Sequence, residues 1–283
     1  MTIPDDGVAE RFGRGRLGFR GPGNGTGAQS LAESIMRLLK FGLVAVAVVV
    51  AGLWLTEAYA AEEGHFKTPE EAITAFMEAV KKQDFEAILA TTAVDRMSEG
   101  YDFVAQAGQL KVIMPSFAMP ASDPFFISVN KAFYAGLIAK DVQFLTYSLM
   151  LANNPVIIDA LLDGQTYASP NYPTAARDMF DAVQAERLSE LSISKIGTPL
   201  PEKVNSERQQ RLFSKHAKFF QGDAETERVA LLSFDGRDFL IGFSLIRFGD
   251  DWLVEGTRPW IAETSRMGGA KRTTPDEFEA LIR

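Results

Sequence analysis

The sequence predicts an α+β protein in which helices come first and an antiparallel curved sheet closes the chain. Three observations predict it. Thr68-Pro69-Glu70-Glu71 opens an amphipathic helical pattern, and residues 101–164 form a Phe-rich, largely helical stretch with only eight charged side chains. Residues 227–255 then alternate through three strands joined by tight turns.

The first helix has three concordant start signals. Thr68 caps it, Pro69 suits its first position, and Glu71 stands where a capping box places a carboxylate. Ala72, Ile73, Phe76, Met77 and Val80 recur at helical spacing and predict its buried face. Lys81 and Lys82 sit at its negative pole. Asp84 caps a second helix through Phe85, Ile88 and Leu89, which completes an α-hairpin.

In the middle segment, Pro115, Pro120 and Pro124 break the chain before a long helix over about 126–152. Val129, Phe133, Leu137, Val142, Leu145 and Leu149 mark one face. Tyr134, Ile138 and Phe144 occupy others, which predicts a helix covered nearly all round. Lys131, Lys140 and Asp141 argue against a membrane span. Asn154-Pro155 opens a short helix to about Leu162, and another is expected from Thr174 to Leu191. A strand follows at 192–196, then a helix capped by Ser206 and Gln209 and stopped by Gly222.

Asp235-Gly236 is the strongest hairpin signal in the chain. A two-residue turn there pairs Leu232 with Phe239 and Ala230 with Ile241. The next turn, at Gly249-Asp250, sets Arg247 beside Trp252 and Leu245 beside Val254. One face then carries Leu232, Phe239, Ile241, Phe243, Leu245, Trp252 and Val254, a core face for the 69–82 helix. The other carries Leu231, Leu240, Gly242, Ser244, Ile246 and Leu253. It is too apolar to lie bare, so the Phe-rich middle segment, or alternatively a second copy of the chain, is expected to cover it. Arg266–Arg272 reads as a mobile loop, and Thr274-Pro275-Asp276-Glu277 starts a short terminal helix.

Ahead of the α-hairpin, Arg37 and Lys40 precede the apolar run Phe41–Leu55, and Ala58-Tyr59-Ala60 offers small residues to a signal peptidase. Fifteen residues span about 22 Å as a helix, short of a bilayer's roughly 30 Å hydrocarbon core. The expectation is a signal peptide at 36–60, cleavage before Ala61, and an exported, periplasmic or extracellular product. An uncleaved inner-membrane anchor with the domain outside is the alternative. Residues 1–35, rich in Gly and Arg, form either a disordered tail or a mis-assigned start preceding Met36.

Beyond Ala61 the chain carries 23 Lys/Arg against 32 Asp/Glu, a net charge of −9. That argues against a nucleic-acid surface and confines any membrane contact to 36–60. The absence of cysteine excludes thiolate zinc sites, iron–sulfur clusters and a Cys nucleophile. Only His65 and His216 are available as imidazoles. Asp95, Glu99 and Asp102 are too loosely spaced to hold a metal, and no metal or cofactor is expected.

The stretches TPEEAITAFMEAVKKQDFEAIL and DGRDFLIGFSLIRFGDDWLVEG, in this order, resemble the nuclear-transport-factor-like superfamily. It includes ketosteroid-isomerase-like and lumazine-binding-like domains. The resemblance covers about 68–95 and 192–256 and implies a curved sheet folded round a helix, a cone whose mouth often holds a small molecule. It also implies that 61–265 is one domain bearing a large helical insertion at about 100–190, with 266–283 as a loop and terminal helix. Enzymes of this superfamily place a carboxylate base or an Asp/His pair inside the cone.

Among candidate site residues, His216 is the one catalytic possibility, a general base or ligand contact; the bland alternative is a satisfied, half-buried histidine. Glu255 follows the superfamily pattern loosely, but strand parity sends it to the face opposite Trp252. Trp252, Arg258 and Trp260 form an aromatic–cation group able to stack a flat ligand or bind a carboxylate, with Phe243 also a candidate contact; the alternative is that the group plugs the core at the end of the sheet. Gly242 and Ser244 leave space beside the sheet, either for a pocket or for a close helix contact. The expected function is non-enzymatic binding of a small apolar ligand or an envelope protein, with homodimerisation possible. The alternatives are a cone-fold isomerase, cyclase or hydrolase using His216 with a carboxylate, and a single-span scaffold subunit.

Overall fold

A computed structural model describes residues 65–114, 118–152, 172–262, 264 and 267–283. The chain divides into the units Met1–Ala60 and Ala61–Arg283. The first unit, with the expected signal segment, and the helix expected after Asn154 lie outside the described residues. Among the described residues no helix is long and apolar enough to cross a membrane.

The α-hairpin is α1 (Pro69–Lys81) and α2 (Phe85–Ala90). Thr68 Oγ1 accepts the Glu71 N–H at 3.2 Å, and Asp84 Oδ1 accepts the Ala87 N–H at 3.0 Å. Glu71 reaches one residue further back than a strict capping box, taking the Lys67 N–H. The expected buried face is the observed one: Ala72, Ile73, Phe76, Met77 and Val80 are all buried. Each side chain of the larger kind contributes about 1.5–3 kcal/mol on leaving water. Phe76 meets Phe243 edge-on at 5.8 Å, and Glu70 takes the Arg228 guanidinium at 2.6 Å, so α1 is fixed on the predicted core face.

Two short helices follow, α3 (Val94–Gly100) and α4 (Phe103–Leu110), and then α5 (Pro124–Met150), capped by Asp123. α5 corrects the expectation that it is covered nearly all round. Its buried face is Asn130, Tyr134, Ile138, Asp141, Leu145 and Ser148, whereas Phe125, Val129 and Phe133 are exposed. A helix apolar on every side carries no moment to orient it, so its partner α3 and the end of β4 choose the face. The helix expected over 174–191 is shorter, ending at Ala182 (α6, Tyr172–Ala182), and a 3₁₀ turn occupies Ala185–Glu190.

The sheet comprises β1 (Ser192–Gly197), β2 (Ala224–Phe234), β3 (Arg237–Phe248) and β4 (Asp251–Gly256), antiparallel in that order. It is curved and unclosed. α7 (Pro201–Val204) and α8 (Glu207–Lys218) lie between β1 and β2. The predicted register holds, with Ala230 opposite Ile241, Leu232 opposite Phe239, Leu245 opposite Val254 and Arg247 opposite Trp252. Asp235 and Gly236 both take positive φ, 52° and 67°, as the tight hairpin turn requires. The outer edge of β4 is closed by the 91–93 segment, through Val254 N–H to Thr91 and Ala93 N–H to the Val254 carbonyl.

The second sheet face is covered, though mainly by other segments than expected. At Leu231 and Leu240 the cover is the terminal helix α9 (Pro275–Leu281), whose Phe278 is fully buried with Ala262. At Gly242 it is Pro259, Ala262 and Thr264: a Cβ there would sit 2.3 Å from Pro259 and 2.7 Å from Thr264 Oγ1. Near Ile246 it is α8 and its exit turn, in which Gln221 takes the left-handed conformation (φ 59°) and Gly222 lets Ile246 approach. Of the expected 266–272 loop, the described residues 267–272 are likewise anchored rather than loose. Ala270 N–H bonds Ser148, Thr257 bonds the Gly268 carbonyl, and β5 (Lys271–Arg272) pairs with β3 at Phe239 and Leu240. Both corrections have one cause: β4 pairs only the far end of β3, and the chain beyond it folds back to finish the sheet.

Candidate functional site

Where α3, α4, α5, α8, residues 256–260 and Thr264 meet over the β3–β4 end of the sheet, they enclose a partly open cavity of about 750 Å³. Its apolar wall is Val94 and Met97 of α3, Phe133 and Leu137 of α5, and Phe220 after α8. Its polar wall holds His216, Glu255, Ser244 and Arg258, and Trp260 stands at the rim, 88% exposed.

His216 comes from the last turn of α8, where the helix dipole favours a cation. Its Nδ1 lies 2.8 Å from Glu225 Oε2, and its Nε2 lies 3.7 Å from Glu255 Oε1. Glu225 is buried on β2, and its own burial pushes its carboxyl up to about 7 against the pull of the His216 bond. Burial also works against charge on His216, but the Glu225 bond and the Glu255 charge outweigh it and raise the imidazole to about 9. The ring therefore stays protonated at neutral pH, held between two carboxylates. Phe219 and Phe220 bracket it edge-on, at 6.2 and 5.4 Å.

Glu255 reaches this position through a bulge. Ser244 faces Gly256 and Leu245 faces Val254, leaving Glu255 as the extra residue of β4. Tyr134 stands near it, its hydroxyl held protonated chiefly by burial and further by the Glu255 charge. Tyr101 donates to Gln106 at the α4 side.

Two buried carboxylates shape the far wall. Asp141 of α5, with no exposed side-chain surface, takes the Thr257 N–H at 3.0 Å and lies 2.9 Å from Arg258 Nε. Burial still holds its carboxyl above the usual range despite that cation. Glu227 of β2, fully buried, accepts the N–H groups of Trp260, Ile261 and Ala262 at 2.8, 2.8 and 3.2 Å. Burial raises it too, while those three donors pull the other way. Glu227 thus does for the 260–262 turn what a helix N-terminus needs from an anion.

Of the residues expected at a site, His216, Arg258 and Trp260 line this cavity. Phe243 does not: it is buried in the core against Phe76 on the opposite face. Trp252 also lies on that face, under the Arg247 guanidinium at 5.7 Å. The aromatic–cation group expected from Trp252, Arg258 and Trp260 is thereby separated. Glu225, Glu227 and Asp141 escaped sequence reasoning; Asp141 interrupts an apolar helical stretch, whereas Glu225 and Glu227 resemble ordinary acidic residues at the start of a strand. His216, Glu225 and Glu255 could each offer a metal one donor atom, all within 4.8 Å of one another. A metal would have to displace the His216–Glu225 bond.

The chain matches no family model, and no curated protein matches its sequence. Among solved structures it is similar to a cystatin-like protein from Ruminococcus gnavus ATCC 29149, at 16% identity and a TM-score of 0.45. The match covers 77% of this chain but 43% of that one, so this chain spans less than half that protein's length.

Proposed function

We propose that this is an exported, non-catalytic binding protein that holds one small, largely apolar molecule in the cavity between α5, α8 and the sheet. The observation that carries the reading is the cavity itself. Its volume of about 750 Å³ lies in the range of small-molecule sites, and its walls are mostly aromatic and aliphatic. The polar groups are largely committed to one another: His216 to Glu225, Arg258 to Asp141. Groups so engaged orient a ligand without serving as free acids or bases. The order of elements agrees with a nuclear-transport-factor-like cone, and Phe41–Leu55 supplies the export signal. Native mass spectrometry of the chain purified from its expression host tests this. A co-purifying molecule of a few hundred daltons at one per subunit supports the reading; an empty chain that takes up no hydrophobic probe refutes it.

One observation favours a second reading as an isomerase, cyclase or hydrolase. Glu225 orients the imidazole through Nδ1 while Nε2 turns toward Glu255, an arrangement suited to moving a proton. With the ring charged at neutral pH, His216 would be the acid and Glu255 the base. Turnover of a carbonyl substrate that vanishes in Glu255→Gln would establish it.

A further inference from the structure

Resting on the binding reading above, we propose that the cavity selects an organic cation: a protonated amine or quaternary ammonium borne on an apolar body. The charges on its walls lead there. Arg258 is matched by the buried Asp141 carboxylate 2.9 Å away. His216 is matched by Glu225 at 2.8 Å, and with one proton on that pair the pair is neutral wherever the proton sits. Glu255 is left over. It lines the cavity with its side chain 21% exposed, 3.7 Å from an imidazole already engaged by Glu225. The cavity lining therefore carries one uncompensated negative charge, and Glu227 behind it, met by three backbone N–H groups, adds no cation; in a largely apolar enclosure such a charge interacts more strongly than in water.

The other walls suit the same guest. Phe133, Tyr134, Phe220 and Trp260 supply aromatic surface; Tyr134 packs edge-on with Phe133 at 5.3 Å and with Phe220 at 6.1 Å. A carboxylate beside several aromatic rings attracts a cation twice, through its charge and through the rings' negative faces. An anionic guest would meet Glu255 with no spare cation to offset it. A divalent metal ion is the competing occupant of the same carboxylates. His216, however, spends Nδ1 on Glu225 and turns Nε2 to Glu255, so the donors run around the ring instead of converging on one point.

The test is calorimetric titration of the full chain at pH 7.5 with tryptamine, tryptophol and indole-3-acetate, which share a ring and differ in charge. Tryptamine is expected to bind roughly tenfold more tightly than tryptophol, with indole-3-acetate weakest. In Glu255→Gln the ratio between tryptamine and tryptophol should fall toward one. If that variant does not fold, the three probes on the unaltered chain still decide. Equal binding of all three, or preference for the acid, overturns the cation inference and leaves the cavity reading standing. Binding of none overturns both. One Mn²⁺ per chain, lost in Glu255→Gln, without tryptamine binding, replaces the organic cation by a metal.

Discussion

Glu225 Oε2 and His216 Nδ1 lie 2.8 Å apart, joining the buried start of β2 to the last turn of α8. This contact sets which ring nitrogen faces the cavity, and it ties α8 to the sheet beside Glu255. Replacing one member leaves the other without its counter-charge. His216→Ala strands a buried carboxylate and should cost about 2 kcal/mol, toward the low side because the ring is more than a third exposed. Glu225→Gln should cost less, and the double variant less than the sum. Denaturant melts analysed as a double-mutant cycle check this, with a coupling of about 1 kcal/mol expected.

The same pair makes stability fall as pH rises. His216 is raised to about 9 in the folded chain, so its contribution is complete below about 6.5, the unfolded value, and disappears as pH passes through 9. Glu225, raised to about 7, has the same sign over the lower window from about 4.5 to 7, since the folded state again holds the proton longer. Thermal melts should therefore decline from pH 6.5 to 9.5 by on the order of 1 kcal/mol, screened by solvent. His216→Gln should flatten that decline.

Gly242 allows Pro259, Ala262 and Thr264 to lie on the sheet. An alanine Cβ would stand 2.3 Å from the Pro259 ring, which has little room to yield. Gly242→Ala should cost about 1–3 kcal/mol and push Pro259 and Trp260 outward. A lowered melting temperature, together with loss of the ligand proposed for the cavity, checks it; Ser244→Ala, on the same face, should leave stability nearly unchanged.

Glu227 holds three N–H groups of the 260–262 turn with two carboxylate oxygens. In Glu227→Gln a single oxygen remains as acceptor and an NH₂ faces donors, at a cost of about 1–3 kcal/mol. Hydrogen exchange should quicken at Trp260, Ile261 and Ala262 while β2 and β3 stay protected.

Much of the fold was legible because its cues are local. Thr68, Asp84, Ser206 and Thr274 cap their helices as expected. Asp235-Gly236 set a register that held over eleven residue pairs, from Ala224↔Arg247 to Phe234↔Arg237. The buried side of α5 was not legible, because Val129 and Phe133 look as suitable for a core as Tyr134 and Ile138. The site was legible only in part. His216 and Arg258 stand out as rare or charged residues near the sheet, whereas Glu225 resembles any acidic residue at the start of a strand.

The sequence by itself determined the α+β class, the hairpin register and the two sheet faces, since caps, turns and alternation act over a few residues. The tertiary structure alone decided that the terminal helix would cover Leu231 and Leu240. It also decided that Asp141 would meet Arg258 and that Glu225 and Glu255 would converge on His216. Most of those pairings join residues far apart along the chain, and even His216 and Glu225, nine positions apart, sit on different elements. Only the packing of whole elements, with the burial and mutual neutralisation of their charges, determines which of many similar side chains come together.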